Sequence, residues 1–212
     1  MHHFGKDQIQ IAIERLKAYP DDRRTMISMW DATLDLNEGN DYKDLPCNFM
    51  LKPSIREGKL DLTVFNRSND LVWGALNVNI VQFTILQEYL AMMVGVPVGS
   101  YHLVSDNLHI YEATAKKVSG GKTYVAPSTS PMFNVAHLFR TELKEFMIEH
   151  DSYEEIQDDY VNPILDDAKH MVNAYRIWKC FKNPERALKY LEDKPSTPWL
   201  YATKQWYTRR TK

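Results

Sequence analysis

Glycine is scarce in this chain, at 8 of 212 residues. Glycine-rich phosphate loops are correspondingly absent, and neither GxGxxG nor GxxxxGKS/T occurs. Cysteine is scarcer still. Cys47 and Cys180 are the only two, too few for a disulfide framework or a four-cysteine zinc site. Long apolar runs are missing as well. The best stretch, residues 79–98, is interrupted by Gln82, Gln87 and Glu88, so no membrane span is expected. The opening MHHFGKDQIQ lacks the apolar segment of a signal peptide. These absences predict a cytoplasmic location with reduced thiols. Neither sign of charge dominates: 26 Lys and Arg stand against 28 Asp and Glu, a net charge of -2. That total predicts no nucleic-acid partner. Hydrophobic residues at 44% and aromatics at 12% suffice for a packed core, which excludes a disordered chain.

The periodicity that is present reads as α+β. From Asp7 to Tyr19, Ile9, Ala12, Ile13 and Leu16 share one helical face, and Pro20 ends the helix. A polar turn, Asp21 to Arg24, leads into a strand-like Thr25 to Trp30, and residues 31–45 read as a loop. Asn48 to Ile55 and Lys59 to Arg67 predict a hairpin around Glu57-Gly58. Leu60, Leu62 and Val64 alternate with polar residues, so one face is buried, and Pro53 marks an edge or bulge. A central buried helix is expected from Asn79 to about Val94, with Gly95 just past its end. Tyr101 to Val104 and Leu108 to Tyr111 read as two further strands. Ser119 to Pro131 reads as a loop, followed by helices near 135–149, 164–181, 184–192 and 198–209.

Cys47 follows Pro46 at a loop-to-strand junction. By burial habit a lone cysteine is a small core hydrophobe; as a nucleophile it needs positive charge nearby. Arg67-Ser68-Asn69-Asp70 offers that charge at the end of the paired strand. Arginine can fork onto a phosphate, serine adds a hydroxyl, and aspartate can accept hydrogen bonds from a heterocycle. Taken alone, the same tetrapeptide is also a polar turn with a helix-capping aspartate. Cys180, among Ile177, Trp178 and Phe181, reads as core. His137 with Arg140, and His170 with Asn173, read as helical surface, and no grouping has metal-ligand spacing.

Taken together, DQIQIAIERLKAYPDDRRTMISMW, LPCNF and REGKLDLTVFNRSNDLVWG, then Asn79 and His109-Ile110-Tyr111, resemble the thymidylate synthase family and its pyrimidine hydroxymethylases. The combination of Pro-Cys with Arg-Ser-Asn-Asp beginning twenty residues after Cys47 is highly specific. The resemblance runs from Asp7 to Tyr111. It implies a mainly antiparallel sheet with a buried central helix, residues 1–118 as catalytic core and 119–212 as a helical C-terminal extension. Cys47 matches the nucleophile that adds to C6 of a pyrimidine nucleoside monophosphate. Arg67 and Ser68 match phosphate ligands, and Arg67 would also favour the thiolate. Arg23 and Arg24 match an arginine pair reaching the phosphate of a neighbouring subunit, which implies a homodimer with shared active sites. Asp70 matches a residue on the folate side, Asn79 the reader of the pyrimidine edge, and His109 and Tyr111 the pair on the sugar 3′-hydroxyl. The implied cosubstrate is 5,10-methylenetetrahydrofolate, without a metal.

Several departures accompany the resemblance. The stretch from Asp70 to Asn79 is one residue longer than usual, so Asn77 competes for the base-reading role. Asn48 stands where histidine is common, and Asn66 where glutamine is frequent. The family's long N-terminal segment, with its proton-relay glutamate, has no counterpart in residues 2–6; Glu88, Glu112 and Glu142 are candidate replacements. The tail TKQWYTRRTK reads as a solvated helix or a lid, with Trp199 and Trp206 as packing anchors. The leading expectation is C5 methylation of dUMP, because an amide at Asn79 suits uracil better than cytosine. The alternatives are a C5 hydroxymethylase and a non-catalytic nucleotide-binding or dimerisation module.

Overall fold

In the computed structural model, the described residues are 2–3, 6–36, 45–118 and 162–211, with single positions 142, 146, 156 and 160. The chain divides into two units, Met1–Tyr124 and Val125–Lys212.

In the first unit, a minimal ladder of β1 (His2–His3) and β2 (Lys6–Asp7) leads into α1 (Gln8–Ala18). The Asp7 carboxylate accepts from the backbone N–H groups of Ile9 and Gln10, two donors a helix start leaves orphaned. The predicted apolar face buries Ala12, Ile13 and Leu16. The next strand is shorter than its sequence suggests: β3 is Ile27–Ser28 alone. The expected loop after it holds one helical turn, α2 (Ala32–Asp35), capped by the Asp31 side chain.

β4 (Asn48–Arg56) and β5 (Lys59–Asp70) form the expected hairpin. Its two turn residues, Glu57 and Gly58, both have positive φ, 50° and 71°. Such turns match the twist of the strands they join. Pro53 lies beyond the two residues of β4 that pair with β3, so its missing N–H costs no ladder bond there. A register shift between Asn48 and Met50 bends the start of β4.

The main topological difference from expectation comes next. Residues 98–109 form a single strand, β6 (Val98–His109), and it runs parallel to β5. The sheet order is β3-β4-β5-β6, with two antiparallel pairs and one parallel pair. A parallel partner cannot be reached through a tight turn. The crossover is helical throughout: a π-helical segment, Leu71–Val78, continues into α3 (Asn79–Val94). Gly95 ends α3 at φ 90°, its N–H and that of Val96 both bonding the Ala91 carbonyl. A short α4 (Glu112–Val118) follows β6.

The core lies on one sheet face. Ile27, Leu51, Leu62 and Val64 pack against Ala12 of α1 and Phe83 of α3. Leu60 packs with Ile13, Leu16, Leu90 and Ala91. α3 is buried along this face, while Ile80 is exposed. Within the core, the Gln87 amide donates to the Leu60 and Ser100 carbonyls at 2.9 and 3.1 Å. It thereby ties the beginnings of β5 and β6 to the helix that joins them.

The second unit contains α5 (Pro163–Phe181), α6 (Pro184–Leu191) and α7 (Pro198–Thr208). Each has proline in its first turn and a side-chain cap from Asn162, Asn183 or Thr197. Ala174, Ala187, Leu191, Leu200 and Tyr207 form their core. The tail is therefore a packed helix, with Trp206 set edge-on to Trp178 at 5.3 Å. The loop at 119–131, His137 and Arg140 lie outside the described residues, as does the helix near 135–149 apart from positions 142 and 146.

Replacing Gln87 by leucine keeps the bulk and deletes both bonds. The expected loss is about 1–3 kcal/mol, read from the urea unfolding midpoint. An unchanged midpoint would show that water or another donor serves the two carbonyls.

Candidate active site

The C-terminal ends of β5 and β6 gather most of the chemistry-bearing residues. Arg67, Ser68 and Asp70 are at the end of β5, and His109 is the last residue of β6, in register with Asp70. Ligand sites favour the carboxyl ends of parallel strands because crossover connections open a crevice there.

Cys47 is exposed, so the core reading does not hold for it. Cys180 is exposed too, against the expectation that it is core, because its turn of α5 faces away from the helical packing. Cys47 sits where β4 begins opposite the end of β5: the Arg67 N–H donates to the Cys47 carbonyl at 3.0 Å. The Arg67 guanidinium holds the same loop, donating to the carbonyls of Pro46 at 3.0 Å and Leu45 at 3.2 Å. Its Cζ stands 5.7 Å from the centroid of the Trp30 ring. Guanidinium has five N–H donors, so two bonds to the loop leave donors for an anion. An open groove of about 480 Å3 runs beside it, lined by Met26, Ser28, Trp30, Phe49, Met50 and Arg67.

Arg23 and Arg24 are exposed and are not brought to Arg67 by any described contact. Arg24 lines a second groove, of about 600 Å3, with Lys6 and Arg15, and the two grooves share Met26. Asp22 fixes the turn that carries them. It accepts from the Thr25 hydroxyl at 2.6 Å, the Arg24 N–H at 3.1 Å and Arg15 Nε at 2.9 Å. These bonds, the Thr25 hydroxyl foremost, hold its carboxyl down at about 2.

Asp70 caps the π-helical segment, its Oδ1 accepting from the Trp73 N–H at 2.5 Å. Its Oδ2 is buried and has no partner among the described residues. A buried acceptor in that state is aimed at a missing donor. Trp73, beside it, is 69% exposed. Asn79 lies one segment further on. Its amide donates to Asn69 Oδ1 at 3.0 Å, and Asn69 in turn donates to Ser105 Oγ at 3.2 Å. Asn77, the competing candidate, is exposed. His109 and Tyr111 meet edge-on at 5.1 Å, with Tyr111 beyond the strand end and not inside a strand.

The sequence did not single out three residues that organise this site. Trp30 lies under Arg67. Asn69 is buried and links Asn79 to β6. Gly74 lies where any Cβ would come within 2.1 Å of Asn69 Oδ1 and 3.2 Å of Asn79 Nδ2. The residues Asn48 and Asn66, which depart from the expected pattern, face each other in register, and Asn66 Nδ2 donates to Asn48 Oδ1. Of the candidate replacements for the proton-relay glutamate, Glu142 accepts from the Asn162 N–H at 2.9 Å in the second unit. His170 and Asn173 are buried in structural bonds, to the Tyr190 hydroxyl and to the Ile156 backbone. Among the described residues there is no cluster of three or more metal-ligating side chains, and no helix is long and apolar enough to cross a membrane.

Gly74→Ala should force Asn69 and Asn79 apart. The expected loss is about 1–3 kcal/mol in urea unfolding. An unaltered midpoint would mean that Asn69 turns aside without cost and does not fix Asn79.

Comparison with known proteins extends the resemblance. The Thymidylate synthase family model matches residues 2–160. The chain is 38% identical over 229 residues to the deoxyuridylate hydroxymethyltransferase of Pseudomonas phage M6, covering 98% of this chain and 64% of that one. It is 46% identical over 105 residues to the deoxyuridylate hydroxymethyltransferase of Bacillus phage SP01, covering 50% of this chain and 27% of that one. It is 36% identical over 107 residues to the thymidylate synthase of Clostridium beijerinckii, covering 50% and 38%. The chain thus spans less than two thirds of the length of these curated relatives. The match takes in both the exposed Cys47 with its Arg67 tether and the parallel strand ends that carry Ser68, Asp70 and His109, and on that ground the chain belongs to the thymidylate synthase family.

Proposed function

We propose that this chain modifies C5 of dUMP, and that the product is 5-hydroxymethyl-dUMP. The observation that carries the choice of product is the phage M6 relative. It aligns with 98% of this chain and is named for deoxyuridylate hydroxymethylation. Methylation to dTMP, the leading expectation from the sequence, is the second reading, supported by the family model and by relatives named thymidylate synthase.

The chemistry follows from the placement of the residues. Cys47 is exposed and can present Sγ to C6 of the pyrimidine; the new S–C6 bond moves electron density to C5. Arg67, tethered to the loop, turns its remaining donors and the Ser68 hydroxyl toward the phosphate. His109 and Tyr111 take the sugar hydroxyl. Asn79, braced by Asn69, reads the uracil edge with the amide atoms that Asn69 does not use. The folate would be held through Asp70: a buried carboxylate oxygen without a partner among the described residues suits the N–H donors of a pterin, and exposed Trp73 offers a stacking surface beside it. Methylenetetrahydrofolate supplies a carbon at the formaldehyde oxidation level. A hydroxymethyl product keeps that level, so capture by water needs no reductant, whereas a methyl product needs a hydride.

The proposed assembly is a homodimer. The sheet face opposite the core carries Met50, Phe65 and Val104 in cross-strand register, with Val104 48% and nearby Met26 55% exposed. An apolar sheet face of this kind suits burial against a second copy. It would carry the exposed Arg23 and Arg24 toward the partner's phosphate.

Two measurements test these readings. Incubation with 5-fluoro-dUMP and methylenetetrahydrofolate should add the mass of both to the intact protein, and Cys47→Ala should abolish the adduct. Binding of dUMP without an adduct would instead favour a non-catalytic module. With dUMP itself, a hydroxymethyl nucleotide with tetrahydrofolate supports the proposal, and dTMP with dihydrofolate supports the second reading. In a separate experiment, Asn79→Asp should shift preference from dUMP toward dCMP by roughly tenfold or more, the scale of one misplaced hydrogen bond. Unchanged preference would remove Asn79 from the base-reading role.

A further inference from the structure

The balanced total charge conceals a division along the chain. From Arg176 to Lys212, ten Lys and Arg face three Asp and Glu, which leaves sixteen against twenty-five in the rest. The C-terminal helices are therefore basic, and the remainder is acidic.

These cations are not scattered. Tyr175, Trp178 and Lys179 recur at helical spacing on α5 and so share a face, and Lys182 is the residue that caps its end. Tyr175 and Trp178 lie 5.7 Å apart, and Trp178 meets Trp206 of α7 at 5.3 Å. Cations lie against these rings: Lys179 at 6.0 Å from Tyr175, Lys182 at 5.5 Å from Trp178 and Arg210 at 3.3 Å from Trp206. Arg186 adds a further pair, 4.2 Å from Phe181. The stripe is open to solvent, with Tyr175 47%, Phe181 54% and Trp206 38% exposed. The buried core of the unit is Ala174, Ala187, Leu191, Leu200 and Tyr207, with Trp178 packed against it; Tyr175 and Phe181 belong to neither set, so truncating them leaves that core intact.

We propose that this aromatic and cationic stripe on the helical unit binds single-stranded nucleic acid. Two features select that partner. Flat π-faces at successive helical turns suit unpaired bases, which stack on any aromatic ring regardless of sequence. Each cation sits over one face of its ring, so a base would stack on the other face with its phosphate within reach of that cation. An acidic protein would use the charges and leave the rings idle. A duplex has its bases already stacked on one another. The stripe belongs to the second unit and the residues matched to the nucleotide site to the first; the family model ends at residue 160, whereas the alignment with the phage M6 relative continues into these helices. The proposal is therefore independent of which C5 reaction the first unit performs.

The test uses the full-length chain and a fluorescein-labelled oligothymidylate of about 16 nucleotides, followed by fluorescence anisotropy. Binding is expected to weaken roughly 100-fold between about 50 and 200 mM salt, as for some five phosphate contacts on a single strand. Arg186→Glu combined with Arg210→Glu should weaken it at least tenfold by roughly the same salt logic. Tyr175→Ala with Phe181→Ala, which removes exposed rings and no charge, should also weaken it roughly tenfold. Both variants should keep the wild-type circular dichroism spectrum and form the 5-fluoro-dUMP adduct as the wild type does. The proposal is overturned by an absence of binding, or by oligothymidylate affinity that ignores the ring substitutions. It is equally overturned if inorganic polyphosphate of matched charge, duplex DNA or vesicles of anionic phospholipid bind as tightly as the oligonucleotide.

Discussion

The first unit depends on β5 being paired along both edges, antiparallel to β4 on one side and parallel to β6 on the other. The antiparallel edge needs only the Glu57-Gly58 turn. The parallel edge cannot be closed that way, so the chain must travel the length of the sheet before β6 begins. That return path is the π-helical segment and α3, whose Phe83, Gln87, Leu90 and Ala91 bury the inner sheet face. One pairing constraint therefore produces both the core and the site. The helix that covers the sheet starts where β5 ends, and the residues at that junction are Arg67, Ser68 and Asp70. His109 arrives beside Asp70 because the strands are parallel and in register there.

The stretch from Asp70 to Asn79, expected from the sequence to be one residue longer than usual for the family, forms a π-helical segment. An α-helical turn bonds residues four apart, and a π turn bonds residues five apart, so a π segment absorbs an added residue without breaking the helix. Leu71–Val78 is such a segment. Its wider turn places Gly74 against the Asn69 and Asn79 amides, at a position where a side chain has no room. The same geometry separates the two candidate base readers. Asn79 is braced by a buried amide chain that reaches β6, while Asn77 projects into solvent. An enzyme that must distinguish uracil from cytosine needs the reading amide held in one orientation, because a freely rotating amide presents donor and acceptor alike. Of the two candidates, Asn79 is the one whose amide is held by a neighbour.

Local signals made the helices and the hairpin legible in the sequence. Asp7 before an apolar-periodic run, Pro20 after it, Glu57-Gly58 between alternating strands, and Gly95 past α3 each act within a few residues, and each sits where the sequence placed it. What the sequence hid depends on distant partners. Strand direction has no local signature, so β6 read as two fragments of an antiparallel sheet. The exposure of Cys180 was hidden for the same reason: its apolar neighbours suggested burial, but α6 and α7 cover a different side of α5. The candidate site was legible because its motif is compact in sequence. Trp30, Asn69 and Gly74 were passed over because their roles exist only across the fold.

The two departures at Asn48 and Asn66 are best understood together. Read singly in the sequence, each departs from the pattern expected there. In the fold they are opposite one another across the β4–β5 ladder, and their amides bond. Asn66 is buried at 1% exposure, so its amide without a partner would cost about 1–3 kcal/mol. A larger side chain at 48 would displace that bond, and a longer one at 66 would overreach it. The two amides therefore act as one pair, at the strand positions adjoining Cys47 and Arg67. The Asn66 Oδ1 that remains buried without a partner faces no protein donor among the described residues.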